Sequence, residues 1–132
     1  MKALIFHADR FGFELEGEDK SSCSSGIDVR ECLAVLFHVE EGDGPSQAKR
    51  LHQDIVKIAR KLGAVRLVVT AFGHLSHNYA PWDEAKEIVA GVVDACRAEG
   101  IYEVSTTPFG VEGKTLILHA KSHRDEVKWR SY

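Results

Sequence analysis

Apolar and polar positions alternate with two different periods along this chain. Leu33, Val35, Phe37 and Val39 recur at every second residue, which predicts a half-buried strand over 31–40. Ala48, Leu51, Ile55, Ile58, Ala59 and Leu62 recur at helical spacing, so a helix is expected from Ser46, as cap, to Leu62, with Gly63 ending it. Val65 to Thr70 is a short apolar run of the kind a fully buried strand shows. A second helix follows Pro81, with Asp83 and Glu84 in its first turn, where the helix dipole favours acids. Its apolar stripe is Ala85, Ile88, Val89, Val92, Val93 and Cys96, and Gly100 closes it. Met1–Ala8 and Gly12–Glu16 read as two strands, residues 17–27 as a flexible loop, and Gly42-Asp43-Gly44-Pro45 as a turn. Ile101–Ser105 and Thr115–Ala120 read as the last strands, and the polar tail from Lys121 to Tyr132 as a short helix. The order β-β-β-α-β-α-β-β predicts an α/β fold: one sheet with two amphipathic helices on a face.

The 132 residues suit a single domain spanning 1–132. The ending Trp129-Arg130-Ser131-Tyr132 carries no stop signal of its own and fits a domain cut from something longer. No apolar run reaches the ~18–20 residues of a membrane span, so no membrane partner is expected and a cytoplasmic location follows. Three cysteines, Cys23, Cys32 and Cys96, are too few and too scattered for a disulfide framework or a cysteine zinc site. The net charge of −3 argues against extensive tracking of a nucleic-acid backbone. Lys114, Lys121, Arg124, Lys128 and Arg130 make the C-terminal part locally basic; this is either a solvated face or a dock for a small phosphate-bearing group.

Two strand ends carry the candidate chemistry. Ala71-Phe72-Gly73-His74-Leu75-Ser76 follows one buried run, and Thr107-Pro108-Phe109-Gly110, with Lys114 nearby, follows another. Open α/β sheets build ligand sites at such ends. His74 beside Gly73 and Lys114 at the start of the last strand are the candidate reactive groups. Lys114 would orient a water or stabilise an oxyanion. The bland alternatives are a structural loop histidine and a surface lysine. His74-x-x-His77 and His119-x-x-x-His123 are too loosely spaced, and too poor in carboxylates, for a recognisable zinc pattern, so no metal is expected. Glu112 and Glu126 are weaker polar candidates. No phosphate loop and no nucleophile elbow is present.

Taken together, Phe72-Gly73-His74-Leu75-Ser76, the Pro81–Ala85 helix start and Pro108-Phe109-Gly110 with Lys114 resemble the N-terminal editing domain of archaeal threonyl-tRNA synthetase. Leu4-Ile5-Phe6-His7-Ala8-Asp9 and Lys121-x-His123 are similar too, and the matching order covers nearly the whole chain. The resemblance implies a D-aminoacyl-tRNA deacylase-like fold and a homodimer without a cofactor. It implies hydrolysis of serine wrongly esterified to threonine tRNA, acting with the synthetase's catalytic domain or subunit. By position, Lys114 and His74 would be catalytic. Val39, Gly73, Ala85, Pro108, Phe109 and Gly110 would hold the terminal adenosine and seryl group, largely through backbone atoms. Glu126 falls one residue from the family's tail glutamate. Gly113 stands where family members often carry an aromatic residue, and this loop is one residue longer. The Ser-Gln-Phe-Thr string of the general D-aminoacyl-tRNA deacylases is lacking. A non-catalytic ligand or interaction module of ferredoxin-like layout would explain the same pattern, and a metal hydrolase is a second rival. A pocket that rejects one methylene gains only about 10- to 200-fold, so serine carried as threonine calls for a second, hydrolytic sieve.

Overall fold

The computed structural model describes residues 1–15, 26–111, 114–121 and 127–132, with Lys114 described by its backbone. The elements run β1 (Lys2–Leu15), β2 (Ile27–His38), α1 (Pro45–Leu62), β3 (Arg66–Ala71), α2 (Trp82–Ala98), β4 (Glu103–Ser105), β5 (Lys114–Ala120) and β6 (Val127–Ser131). They form one six-stranded sheet in the order β4-β3-β2-β1-β5, with β6 also on β1. The predicted α/β class therefore holds.

Strands β2, β3 and β4 pair in parallel because a helix crosses over between each successive pair. Both helices lie on one face. Leu51, Ile55, Ile58 and Ala59 of α1, with Val89, Val92, Val93 and Cys96 of α2, pack against Leu33, Val35, Phe37, Leu67 and Val69. These are the residues whose spacing predicted the elements. A second cluster, Ala8, Phe11, Phe13, Cys32, Ala34, Leu36 and Val68, occupies the opposite face.

Four expectations need correction. The two strands expected over 1–8 and 12–16 are a single strand, β1. Its alternation changes phase at Asp9, where the register against β5 slips by one residue (Ala8 opposite Ala120, Arg10 opposite His119) and the in-register pairing with β2 leaves a gap between Ala8–Cys32 and Arg10–Arg30. On β2 the residue facing that gap, Glu31, has φ +45°. A bulge of this kind lets Leu4, Phe6 and Ala8, and then Phe11 and Phe13, all reach the second cluster. The two irregular residues are tied to one cation, with Lys121 Nζ 3.2 Å from Asp9 and 3.0 Å from Glu31. That bond to Lys121 holds the Asp9 carboxyl below the usual carboxylate range.

The tail is a strand and not a helix over Val127–Ser131. It continues the line of β5 along the free edge of β1: Ala120 opposes Ala8 and Val127 opposes Phe6. Tyr132 anchors its end, with the hydroxyl donating to Asp54 Oδ2 at 2.6 Å and the amide donating to the Met1 carbonyl at 2.9 Å. Helix α1 begins at Pro45, with Gly44 and not Ser46 as its cap, and the Gly44 amide donates to Gln47 Oε1 at 2.9 Å. Finally, β3 and β4 start one and two residues later than expected, since Val65 and Ile101 are exposed.

Candidate active site

Strands β2 and β3 run parallel, so their carboxyl ends open on the same edge of the sheet. The loop after β3 is stitched to the end of β2 by its backbone. The Phe72 amide donates to the Phe37 carbonyl at 2.8 Å, and the Ala80 amide to the Val39 carbonyl at 3.3 Å. Between this loop, the first turns of α2 and the loop after β4 lies a cleft of about 710 Å³, inside the ~300–1,000 Å³ usual for small-ligand sites. Its wall is mainly apolar.

Six of the residues singled out from the sequence meet in this cleft: Val39, Gly73, His74, Ala85, Phe109 and Gly110. They come from four separate segments. His74 is exposed, its ring edge-on to Phe72 with centroids 5.1 Å apart. Pro108 is exposed and does not line the cleft. Lys114 opens β5 opposite Leu15, and Leu116 of the same strand lines the cleft. The Lys114 side chain and all of Glu126 lie outside the described residues, as do Glu112, Gly113 and His123. His77 and His119 are exposed and are not part of the lining. Among the described residues, no three His, Cys, Asp or Glu side chains are grouped so as to hold a metal ion.

The cleft also contains residues to which no individual role was assigned from the sequence. Thr70, next to last in β3, and Thr107, after β4, are buried and hydrogen-bonded hydroxyl to hydroxyl. That bond ties the end of β3 to the loop after β4 in the wall of the cleft. A polar residue closing a buried apolar run was the available signal for Thr70. His38 is buried at the end of β2, and its Nε2–H donates to the Asn78 carbonyl at 2.6 Å. The carbonyl can only accept, so in the neutral ring the proton sits on Nε2 and Nδ1 is left as an acceptor. Nδ1 has no partner among the described residues. Tyr79 leans on His38 with centroids 4.9 Å apart and donates to the Gly73 carbonyl at 2.9 Å. Trp82 meets Phe109 edge to face at 5.4 Å. Gly110 has φ +71°, and a Cβ there would lie 2.8 Å from Trp82 Nε1. Glycine thus lets the turn pass directly beneath the indole.

A charged knot braces this end of the sheet. The Met1 ammonium is enclosed by Glu40 Oε1 at 2.7 Å and Asp43 Oδ2 at 2.8 Å. Glu40 Oε2 accepts from Ser76 of the site loop at 2.8 Å. The hydrogen bond from the ammonium, more than any other group, holds the Glu40 carboxyl below its ordinary range.

Comparison with known proteins agrees with this architecture. The solved structure titled c-Myc DNA Unwinding Element Binding Protein superposes with a TM-score of 0.74 at 12% identity, covering 100% of this chain and 99% of that one. A probable eukaryotic D-amino acid tRNA deacylase superposes with a TM-score of 0.59 at 9% identity, covering 91% and 94%. At such identities the likeness shows the fold. In sequence, the chain is 36% identical over 131 residues to a threonine–tRNA ligase of Methanococcus maripaludis, covering 93% of this chain and 20% of the ligase. It is 33% identical to the ligases of Thermofilum pendens over 118 residues and Hyperthermus butylicus over 143. Those alignments cover 83% and 100% of this chain, and 19% and 23% of the ligases. The chain therefore spans about a fifth of the length of these curated relatives. Residues 1–124 match the family described as the archaea-specific editing domain of threonyl-tRNA synthetase, and the chain belongs to that family.

Proposed function

We propose that the cleft is a proofreading deacylase site that hydrolyses the ester joining serine to threonine tRNA. The observation that carries this reading is the convergence of Val39, Gly73, His74, Ala85, Phe109 and Gly110 on one cleft in a chain of the editing-domain family. Five of the lining residues are glycine or alanine: Ala71, Gly73, Ala80, Ala85 and Gly110. A mainly apolar cleft of this size suits an adenosine and a short side chain, and rejection of threonine's extra methyl falls to close packing around Ala85.

In the reaction a water adds to the ester carbonyl, and the resulting tetrahedral oxyanion expels the ribose 3′-oxygen. That oxygen takes up a proton, leaving free serine and uncharged tRNA. An activated ester needs positioning and an oxyanion donor more than a covalent nucleophile. The backbone amides of the Phe109-Gly110 turn are the assigned donors. Lys114 orients the water or substrate, His74 supports the site, and the tRNA 2′-hydroxyl assists. The remaining tRNA contacts fall to the synthetase, in the same chain or as a partner, and the domain acts as a homodimer in the cytoplasm. That division of labour accommodates a net charge of −3.

The test is deacylation of threonine tRNA charged with serine and, separately, with threonine. Release of serine with threonine spared is expected, and Lys114→Met should lower the rate by about 10²-fold or more. An intact seryl ester after incubation would leave a non-catalytic binding module as the better account. Full activity in the Lys114→Met variant would remove the lysine's role.

A further inference from the structure

Among the described residues, seven large hydrophobic side chains are exposed: Val65, Tyr79, Trp82, Ile101, Val111, Val127 and Trp129. Three of the seven, Tyr79, Trp82 and Val111, border the one cleft just described. Trp82 is 55% exposed, yet its position is set. One edge of the indole rests on Phe109, and its Nε1 side lies over Gly110, where even a methyl group would collide with it. One helical turn further along α2, the Lys86 ammonium sits 5.0 Å from the indole centroid. An exposed aromatic surface with one adjacent cation is what single-stranded nucleic-acid sites use to stack a base.

We propose that Trp82 is the stacking platform for the nucleotide preceding the terminal adenosine, with Lys86 turning from the indole to that nucleotide's phosphate. The inference rests on the reading of the cleft as the site of an aminoacylated adenosine. The strand attached to that adenosine must leave through the mouth, and Trp82 stands there. The charge balance points to stacking as the main source of affinity. Asp83 and Glu84 share the first turn with Trp82, so a run of phosphates gains little at this lip. Every tRNA ends in cytidine-cytidine-adenosine. A base-tolerant aromatic contact there adds affinity without selecting among tRNAs, which suits a domain that is presented with the 3′ end by other parts of a synthetase.

Two non-hydrolysable ligands test this: adenosine carrying serine through a 3′-amide, and the same nucleoside extended at its 5′ side by two cytidines. The 132-residue chain should bind the trinucleotide about tenfold or more tighter than the nucleoside. Trp82→Ala should abolish that gain, so that within this variant the trinucleotide binds no tighter than the nucleoside. Trp82→Phe should keep most of the gain, and thermal unfolding of both variants guards against a misfolded cleft. Lys86→Ala should lower the salt slope of trinucleotide binding by about one. Equal loss for both ligands in Trp82→Ala would place the indole on the terminal adenine and overturn the proposal. Unchanged trinucleotide binding would overturn it too. Equal binding of the two ligands by the wild-type chain would overturn the platform and leave the deacylase reading standing. Binding of neither would overturn both.

Discussion

Replacing Gly110 by alanine adds one methyl group at a position where two separate penalties meet. The first is conformational: φ is +71°, where an L-residue with a Cβ costs about 1–2 kcal/mol. A stiffer unfolded chain offsets about 0.4–1 kcal/mol of that. The second is steric: the new carbon would sit 2.8 Å from Trp82 Nε1 and 3.2 Å from Cζ2. Trp82 is half exposed, so the indole swings outward and gives up its edge-to-face contact with Phe109, worth about 0.5–1.5 kcal/mol. Gly100 isolates the first penalty. Its φ is +74°, and a Cβ there meets nothing within 4 Å. Gly100→Ala should therefore lower stability by about 0.5–1.5 kcal/mol, and Gly110→Ala by a further ~0.5–1.5 kcal/mol. Urea titrations of both variants measure the difference. In a Trp129→Phe background, Trp82 is the remaining tryptophan, and its emission should shift to the red in Gly110→Ala alone. Equal destabilisation with unchanged emission would show that the turn does not lean on the indole.

Other outcomes follow from the same geometry. Ala85 is nearly buried in the cleft wall, so Ala85→Val should cut seryl-tRNA deacylation by tenfold or more, on the order of one methylene's worth of exclusion or greater. Unchanged clearance of serine would argue against a tight pocket. Glu40 has its carboxyl lowered in the folded state, so the stability it contributes is present above the ordinary carboxylate range of about 4.3 and is lost as pH falls through its folded value. Unfolding free energies of wild type and Glu40→Gln from urea titrations should differ by about 1–3 kcal/mol at pH 7 and converge in acid. Ile55, fully buried between α1 and the sheet, should cost about 2–5 kcal/mol when cut to alanine, with the cleft chemistry retained in the folded fraction.

The helices were legible because an amphipathic stripe is a local property. Leu51, Ile55, Ile58 and Ala59 fall on one side of a 3.6-residue repeat whatever they pack against, and the structure buries all four. The two strand-end segments were legible for a similar reason, since glycine and proline after a buried apolar run mark the point where a strand must turn. The unbroken course of β1 was not legible. A bulge against β5 at Asp9 reverses the alternation, and from one strand alone a reversal looks like an end. Nor was β6, because five residues with no helical or strongly buried character become a strand only when the edge of β1 offers hydrogen bonds to them.

The sequence by itself determined the elements whose physical cause lies within a few residues: the α/β class, both helix stripes, and the turn residues at the mouth of the cleft. The tertiary structure alone decided which distant groups meet. It joined Thr70 to Thr107, set Trp82 over Gly110, and put the Met1 ammonium between Glu40 and Asp43. Each of these contacts depends on distance and direction between segments far apart in the chain. Periodicity carries no record of that relation, because it describes which side of an element a residue faces and not what the sheet brings opposite it.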